Sequence, residues 1–82
     1  MLVTTTGTVT KLKLNDFRGF VEMQPDGETG IALFIIWLGD EARGPSALYT
    51  SELTTAMVRG LRVDIVHEFT SAFIDDLIIH AP

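Results

Sequence analysis

The three basic residues near the start of the chain have the type and spacing best suited to a chemical task. Lys11, Lys13 and Arg18 are accompanied by only one acid, Asp16, within the first 21 residues. Cations grouped in this way can contact phosphate groups, which dominate the affinity of proteins for nucleic acids. Three cations are few, and lysines on a strand also serve to prevent edge-to-edge pairing. A phosphate-contacting patch and a solvated strand edge are therefore both open interpretations.

The remainder of the chain is acidic, which limits the partners it suits. Residues 22–82 carry three arginines against ten acids, and the 82-residue chain has a net charge of −5, so it repels polyanions at long range.

The chain has no cysteine, which suits a reducing compartment, and we expect it in the cytoplasm. No signal peptide is recognisable. The longest apolar run, residues 31–38, is far shorter than the roughly 20 residues of a membrane-spanning helix, so no membrane partner is expected.

A second set of titratable residues lies near the end of the chain and could in principle bind a metal. It comprises His67, Glu68, Asp75, Asp76 and His80. Imidazoles and carboxylates are metal ligands, but no H-x-H or HExxH spacing occurs, so an exposed acidic edge is the preferred interpretation. The chain also contains no nucleophile elbow, no coherent catalytic triad and no phosphate-binding loop. We expect no enzymatic activity, no metal and no cofactor.

The distribution of apolar and turn-forming residues predicts one all-β domain over residues 1–82. Stretches rich in Thr, Val and Ile are typical of strands, and Asn15-Asp16 and Pro25-Asp26-Gly27 are strong turn signals. Trp37 has the opposite parity to Phe34 and Ile36 on the third predicted strand, and we expect it in the core. We predict strands over residues 2–14, 17–24, 30–38, 61–65 and 72–80, a loop over 39–47 and a short helix over 50–58.

The order of these elements favours one fold. Thr50-Ser51 can cap the helix, Glu52 suits its first turn, Arg59 its last turn, and Gly60 can close it. Three strands, a helical connection and two more strands follow the plan of the OB-fold, a five-stranded, partly open Greek-key barrel. An SH3-like barrel or another small β-meander is the alternative.

The first half of the chain also resembles a cold-shock domain. The resemblance is carried by Gly7-Thr8-Val9, Lys11, Asn15, Arg18-Gly19-Phe20-Val21, Pro25-Asp26-Gly27 and Leu33-Phe34-Ile35. These runs are similar to the family's G-T-V-K-W-F-N strand, its K-G-F-G-F-I strand, its P-D-G-type turn and, after an insertion, its V-F-V-H strand. Residues 7–37 carry the resemblance, and the rest of the chain follows the family by plan alone.

The resemblance implies binding of single-stranded RNA or DNA on the face of the first three strands. Bases stack there on aromatic side chains, and cations contact phosphates. Phe20 and Phe34 match two stacking positions, whereas Lys11 and Arg18 replace a Trp and a Phe of the family and Ile36 replaces its His. The resulting candidate interface comprises Lys11, Lys13, Arg18, Phe20, Phe34 and Ile36.

The same residues support a different function. Aromatic residues on strands more often pack in a core or across strands than bind a ligand. If Phe20, Phe34 and Ile36 share an exposed face, that face is unusually apolar, and exposed apolar patches often bind other proteins. A homodimer or a protein partner on this face is therefore the main alternative to nucleic acid.

Overall fold

The computed structural model describes residues 1–38 and 46–82, and its five strands and one helix follow one another in the predicted order. The elements are β1 (Leu2–Leu14), β2 (Arg18–Pro25), β3 (Ala32–Trp37), α1 (Ser46–Arg59), β4 (Arg62–Glu68) and β5 (Asp76–Ile79). The strands form one antiparallel sheet in the order β3-β2-β1-β4-β5. The chain is thus mostly β with one helix, as predicted, but the sheet is not closed into a barrel.

The long strand β1 joins the two halves of the sheet. Residues 2–8 pair with β4, and residues 7–14 pair with β2. The partners of Val9 and Lys11 on β2 are consecutive residues, so Thr10 is an extra residue in β1. A β-bulge of this kind bends a strand and increases its twist, which lets one strand serve both halves.

The core lies between α1 and one side of the sheet. Among the residues that the structure describes, ten buried apolar residues form it: Val9, Val21, Met23, Phe34, Ile36, Leu53, Ala56, Leu61, Val63 and Ile65. Leu53 and Ala56 lie one helical turn apart, so they present a single apolar stripe of α1 to the strands. Burying a side chain the size of Leu or Ile contributes about 1.5–3 kcal/mol, and this stripe therefore anchors α1 on the sheet.

Helix α1 begins at Ser46, earlier than predicted. Thr50 and Ser51 consequently lie inside the helix rather than capping it, and Glu52 lies beyond its first turn. The hydroxyl of Thr54 donates a hydrogen bond to the carbonyl oxygen of Thr50 at 2.8 Å. Hydroxyl residues can bond the preceding turn of a helix as well as cap its start, which is why Thr50-Ser51 was a misleading boundary signal.

The C-terminal end of α1 is as predicted. Arg59 lies in its last turn, and Gly60 has φ +67°, a left-handed conformation that glycine adopts without penalty. The N–H of Leu61 then donates to the carbonyl oxygen of Ala56 at 2.9 Å. The predicted loop over 39–47 lies outside the described residues except for 46 and 47, which belong to α1.

Strand β5 is shorter than predicted because the segment before it runs along β3 instead. Ile35 and Phe73 form a single parallel bridge. The N–H of Ile35 donates to the carbonyl oxygen of Ala72 at 2.8 Å, and the N–H of Ile74 donates to that of Ile35 at 3.3 Å. The chain bends at Asp75 before it joins β4. This short contact covers part of the open edge of β3.

Candidate nucleic-acid interface

The side of the sheet that faces away from α1 carries the cations and several aromatic residues of the first three strands. We call it the outer face, and it consists of Lys11, Lys13, Arg18, Phe20, Glu22, Leu33, Ile35 and Trp37. Cross-strand pairing sets this grouping, since Lys13 lies opposite Phe20 and Phe20 lies opposite Ile35. Residues directly opposite each other project to the same side of an antiparallel sheet.

The bulge at Thr10 explains why both lysines lie on the outer face. Val9 is buried in the core, and in a regular strand Lys11, two residues further on, would point to the core as well. The extra residue shifts the alternation, so Lys11 and Lys13 are exposed while Leu12 packs against the core. The hydroxyl of Thr10 donates to a backbone carbonyl of β2 at 3.1 Å, which ties the bulge to the neighbouring strand.

Phe20 lies at the centre of the outer face between two depressions. One, of about 360 Å³, is lined by Asn15, Phe17, Arg18 and Phe20. The other, of about 300 Å³, is lined by Lys11, Lys13, Phe20, Glu22 and Leu33. The ring of Phe20 is half-buried, so it is held by its neighbours and remains accessible. A held aromatic ring with a cation in each adjoining depression suits the stacking of bases with phosphates nearby.

Phe17 extends the aromatic surface and was missed as a site residue in the sequence. Its side chain is 62% exposed, although a large aromatic ring gains from burial. The Oδ1 atom of Asn15 accepts hydrogen bonds from the N–H groups of Phe17 and Arg18, both at 2.8 Å. These hydrogen bonds hold the backbone of the turn, and so they set the directions in which the side chains of Phe17 and Arg18 project. The Asn15-Asp16 turn signal was the clue, because the side chain of Asn in such a turn bonds the backbone two residues on, which here is the N–H of Phe17.

Phe34 and Ile36 correct the predicted interface. Each is only 3% exposed, and Phe34 packs edge-on against His67 with ring centroids 4.8 Å apart. On β3 they alternate with the residues of the outer face and point into the core. Neither can stack on a base from there, and the apolar patch expected from Phe20, Phe34 and Ile36 does not exist, because Phe20 projects to the opposite side of the sheet.

Trp37 is on the outer face rather than in the core, contrary to its predicted position. Its ring stacks on that of Phe73, with centroids 4.7 Å apart and an interplanar angle of 13°. The guanidinium carbon of Arg18 lies 4.7 Å from the Trp37 ring centroid. Arg18 comes from β2 on one side of β3, and Phe73 from the segment on the other side. Trp37 is thus enclosed in a stack that positions Arg18 at the end of the outer face.

The charges of the outer face are mainly positive. Its one acid, Glu22, lies 3.9 Å from the Nζ atom of Lys11. Among residues 1–38 and 46–82, no carboxylate lies within ion-pair distance of Lys13 or Arg18. The exposed pair of Lys11 and Glu22 contributes little to stability at such a distance. All three cations therefore remain available to an anionic ligand.

The titratable residues near the end of the chain do not gather into one cluster. His67 uses both ring nitrogens: Nδ1 lies 3.1 Å from the carbonyl oxygen of Ser71, and Nε2 lies 3.0 Å from the hydroxyl of Thr5. His80 instead contacts Asp64, with its Nε2 atom 2.9 Å from a carboxylate oxygen. In the part of the chain that the structure describes, no group of three or more potential ligands could hold a metal ion.

Asp64 gives the fold a dependence on pH. The hydroxyl of Thr6 donates to it at 2.6 Å, and this bond, followed by the one from His80, holds the pKa of Asp64 below its ordinary value. A group whose pKa is depressed by folding stabilises the protein fully above its unfolded pKa, about 3.9 for aspartate, and loses that effect as the pH falls through the folded pKa. We therefore expect Asp64→Asn to lose less stability than the wild type between about pH 5 and pH 2, as measured by urea unfolding. An identical acid loss in both proteins would contradict this assignment.

Within the described ranges, 1–38 and 46–82, no helix is long and apolar enough to cross a membrane.

Comparison with known proteins finds no relative of this chain. The sequence matches no known protein-family model, and no curated protein or solved structure is significantly similar to it.

Proposed function

We propose that the outer face binds single-stranded nucleic acid, RNA or DNA, in the manner of a cold-shock-like domain. The observation that carries the proposal is the position of Phe20, a half-buried ring between two depressions that both contain cations. Phe20 and Phe17 would stack on bases, while Lys11, Lys13 and Arg18 would contact phosphates. Phe34 and Ile36, which the sequence also placed at this interface, are left out because they are buried. The cytoplasmic location expected from the sequence belongs to the same proposal.

An OB-type architecture is part of this proposal. The parallel bridge between Ile35 and Phe73 brings the segment before β5 to the free edge of β3. The stacked rings of Trp37 and Phe73 reinforce that contact. Together with the strand order and the helix between β3 and β4, the bridge supports a sheet that curls towards closure, as in a partly open barrel.

The charge balance sets the expected strength of binding. Three cations facing single-stranded nucleic acid release few counterions, and the logarithm of the affinity should fall with the logarithm of salt with a slope of about −2. The net charge of −5 disfavours the approach of a polyanion at long range. We therefore expect weak binding that depends on stacking at least as much as on charge.

A titration of a fluorescently labelled thymidine heptamer, followed by anisotropy at several salt concentrations, tests the proposal. Lys13→Ala should weaken binding and reduce the magnitude of the salt slope by about 0.7. Arg59→Ala removes the same charge from the end of α1 and should leave the slope unchanged. No binding at high-micromolar protein in about 50 mM salt would contradict the proposal, since electrostatic contacts are strongest there.

A protein partner is the second candidate function, and the edge of β3 favours it. Leu33 is 49% exposed, and its neighbour Ile31 is exposed as well. Because Ile35 directs its N–H and carbonyl groups away from β2, the alternation of an antiparallel ladder directs those of Leu33 to the same open edge. An exposed apolar edge can add a strand from another chain. Sedimentation velocity decides whether that chain is a second copy, since a strictly monomeric species at high concentration excludes self-association.

A further inference from the structure

Among the described residues that make up the outer face, Glu22 is the only acid. It lies on β2, opposite Lys11 on β1 and Leu33 on β3. Its side chain lines the depression beside Phe20. A carboxylate in this position repels phosphates, so it lowers the affinity for nucleic acid unless it binds hydrogen-bond donors of the ligand.

The carboxylate of Glu22 has most of its hydrogen-bonding capacity unused. An ionised carboxylate accepts at about four lone-pair sites. The Nζ atom of Lys11 is 3.9 Å away, which is beyond hydrogen-bond distance. The side chain of Glu22 is 37% exposed. Its backbone carbonyl accepts from the hydroxyl of Thr10 at the bulge, which holds the backbone of Glu22 at the depression that the residue lines.

The chemistry of the four bases decides which of them this carboxylate prefers. Single-stranded bases are accessible along their Watson–Crick edges. Guanine presents two neighbouring donors there, N1–H and the N2 amino group, which match the two oxygens of a carboxylate. Cytosine and adenine present one amino donor beside an acceptor nitrogen, and thymine or uracil presents one N–H between two acceptor oxygens. Acceptors facing a carboxylate are repelled, so guanine fits best.

We propose that Glu22 makes the depression beside Phe20 selective for guanine. The base stacks on Phe20, its N1–H and N2 amino groups donate to the Glu22 carboxylate, and Lys11 and Lys13 contact the neighbouring phosphates. This inference rests on the proposed function. It adds a specificity-determining residue and a base preference to what the resemblance to cold-shock domains implies.

Thymidine heptamers with one central substitution test the preference, because a single guanine cannot form the multistranded structures of guanine runs. The wild type should bind the heptamer with central guanine about tenfold more tightly than the all-thymidine heptamer, since hydrogen bonds to a charged group are the strong ones. The affinities for heptamers with central cytosine or adenine should be closer to that for the all-thymidine heptamer than to that for the heptamer with central guanine. Central hypoxanthine, which lacks the N2 amino group, should lie between guanine and thymine. The same series in RNA should show the same order.

The variant Glu22→Gln separates base reading from general affinity. It should abolish the preference for guanine without weakening binding of the all-thymidine heptamer, because it removes a charge that repels phosphates. The matched control Glu52→Gln removes the same charge from an exposed position of α1 and should keep the preference for guanine. Equal affinity of the wild type for all central bases, or an undiminished preference in Glu22→Gln, would overturn the inference and leave the proposed function standing. Failure to bind any heptamer would overturn both.

Discussion

Replacing Gly7 by alanine is expected to cost about 3 kcal/mol of the free energy of unfolding, the upper end of the usual range for overpacking. Gly7 lies where β1 is paired with both β2 and β4, opposite Pro25 and Val63. A Cβ atom there would overlap the carbonyl oxygen of Gln24 and lie 2.8 Å from its carbonyl carbon and 2.9 Å from the Cα of Pro25. These are backbone atoms of a paired strand, so no side-chain rotation relieves the overlap. Since small domains have only about 5–15 kcal/mol of stability, the loss should be evident in urea unfolding.

Gly30→Ala is the matched control for this substitution. A Cβ atom built on Gly30 has no heavy atom within 4 Å, and the residue is exposed. Replacing a glycine at a compatible site restricts the unfolded chain, so Gly30→Ala should change the stability by less than about 1 kcal/mol and in the stabilising direction. Equal stability of the two variants would show that β1 and β2 do not approach as closely as described.

Phe20→Ala should weaken binding of a thymidine heptamer about tenfold or more. Stacking on an aromatic side chain contributes roughly 1–3 kcal/mol per base, and about 1.4 kcal/mol corresponds to a factor of ten. Phe20 borders both depressions of the outer face, so its removal affects bases on either side. The measurement is the same anisotropy titration, with circular dichroism to verify that the half-buried ring is not needed for folding.

Phe69→Ala is the control for the loss of a phenylalanine. Phe69 is 73% exposed and lies in the turn after β4, on none of the three strands that form the outer face. Its removal should leave the affinity unchanged. If both variants bind as tightly as the wild type, stacking on Phe20 is excluded as a source of affinity.

The order of the first three strands and the end of the helix were predictable because these turns have local signals. Asn15-Asp16 and Pro25-Asp26-Gly27 separate the first three strands, and Gly60 ends the helix. These signals depend on backbone preferences of single residues, so they need no knowledge of the rest of the fold. The parallel bridge between Ile35 and Phe73, by contrast, joins residues far apart in the sequence, and no local pattern reveals it.

The sides of the strands were harder to predict than their positions. On β1, Val9 and Lys11 have the same parity in the sequence, and only the bulge at Thr10 places one in the core and the other on the outer face. A shift of one residue moves every side chain of a strand to the other side. Because the sequence contains no glycine or other bulge signal at Thr10, this shift could not be read from it.

Strand β3 shows the same difficulty without a bulge. Its sequence is apolar at every position from Ala32 to Trp37, so alternation cannot tell which residues are buried. The resemblance placed Phe34 on the binding side, whereas pairing with β2 places Leu33, Ile35 and Trp37 there. Only the neighbouring strand, whose polar Arg18 and Glu22 mark its exposed side, contains the information that assigns the sides of β3.

An NMR titration of the ¹⁵N-labelled protein with the thymidine heptamer tests the central claim most directly. If the outer face binds single-stranded nucleic acid, the amide signals that shift should be those of residues 11–22 and 33–37, together with the indole N–H of Trp37. Signals from the exposed side of α1 and from β5 should stay in place. Shifts confined to α1 and β5, or no shifts at high-micromolar concentrations in low salt, would contradict the claim.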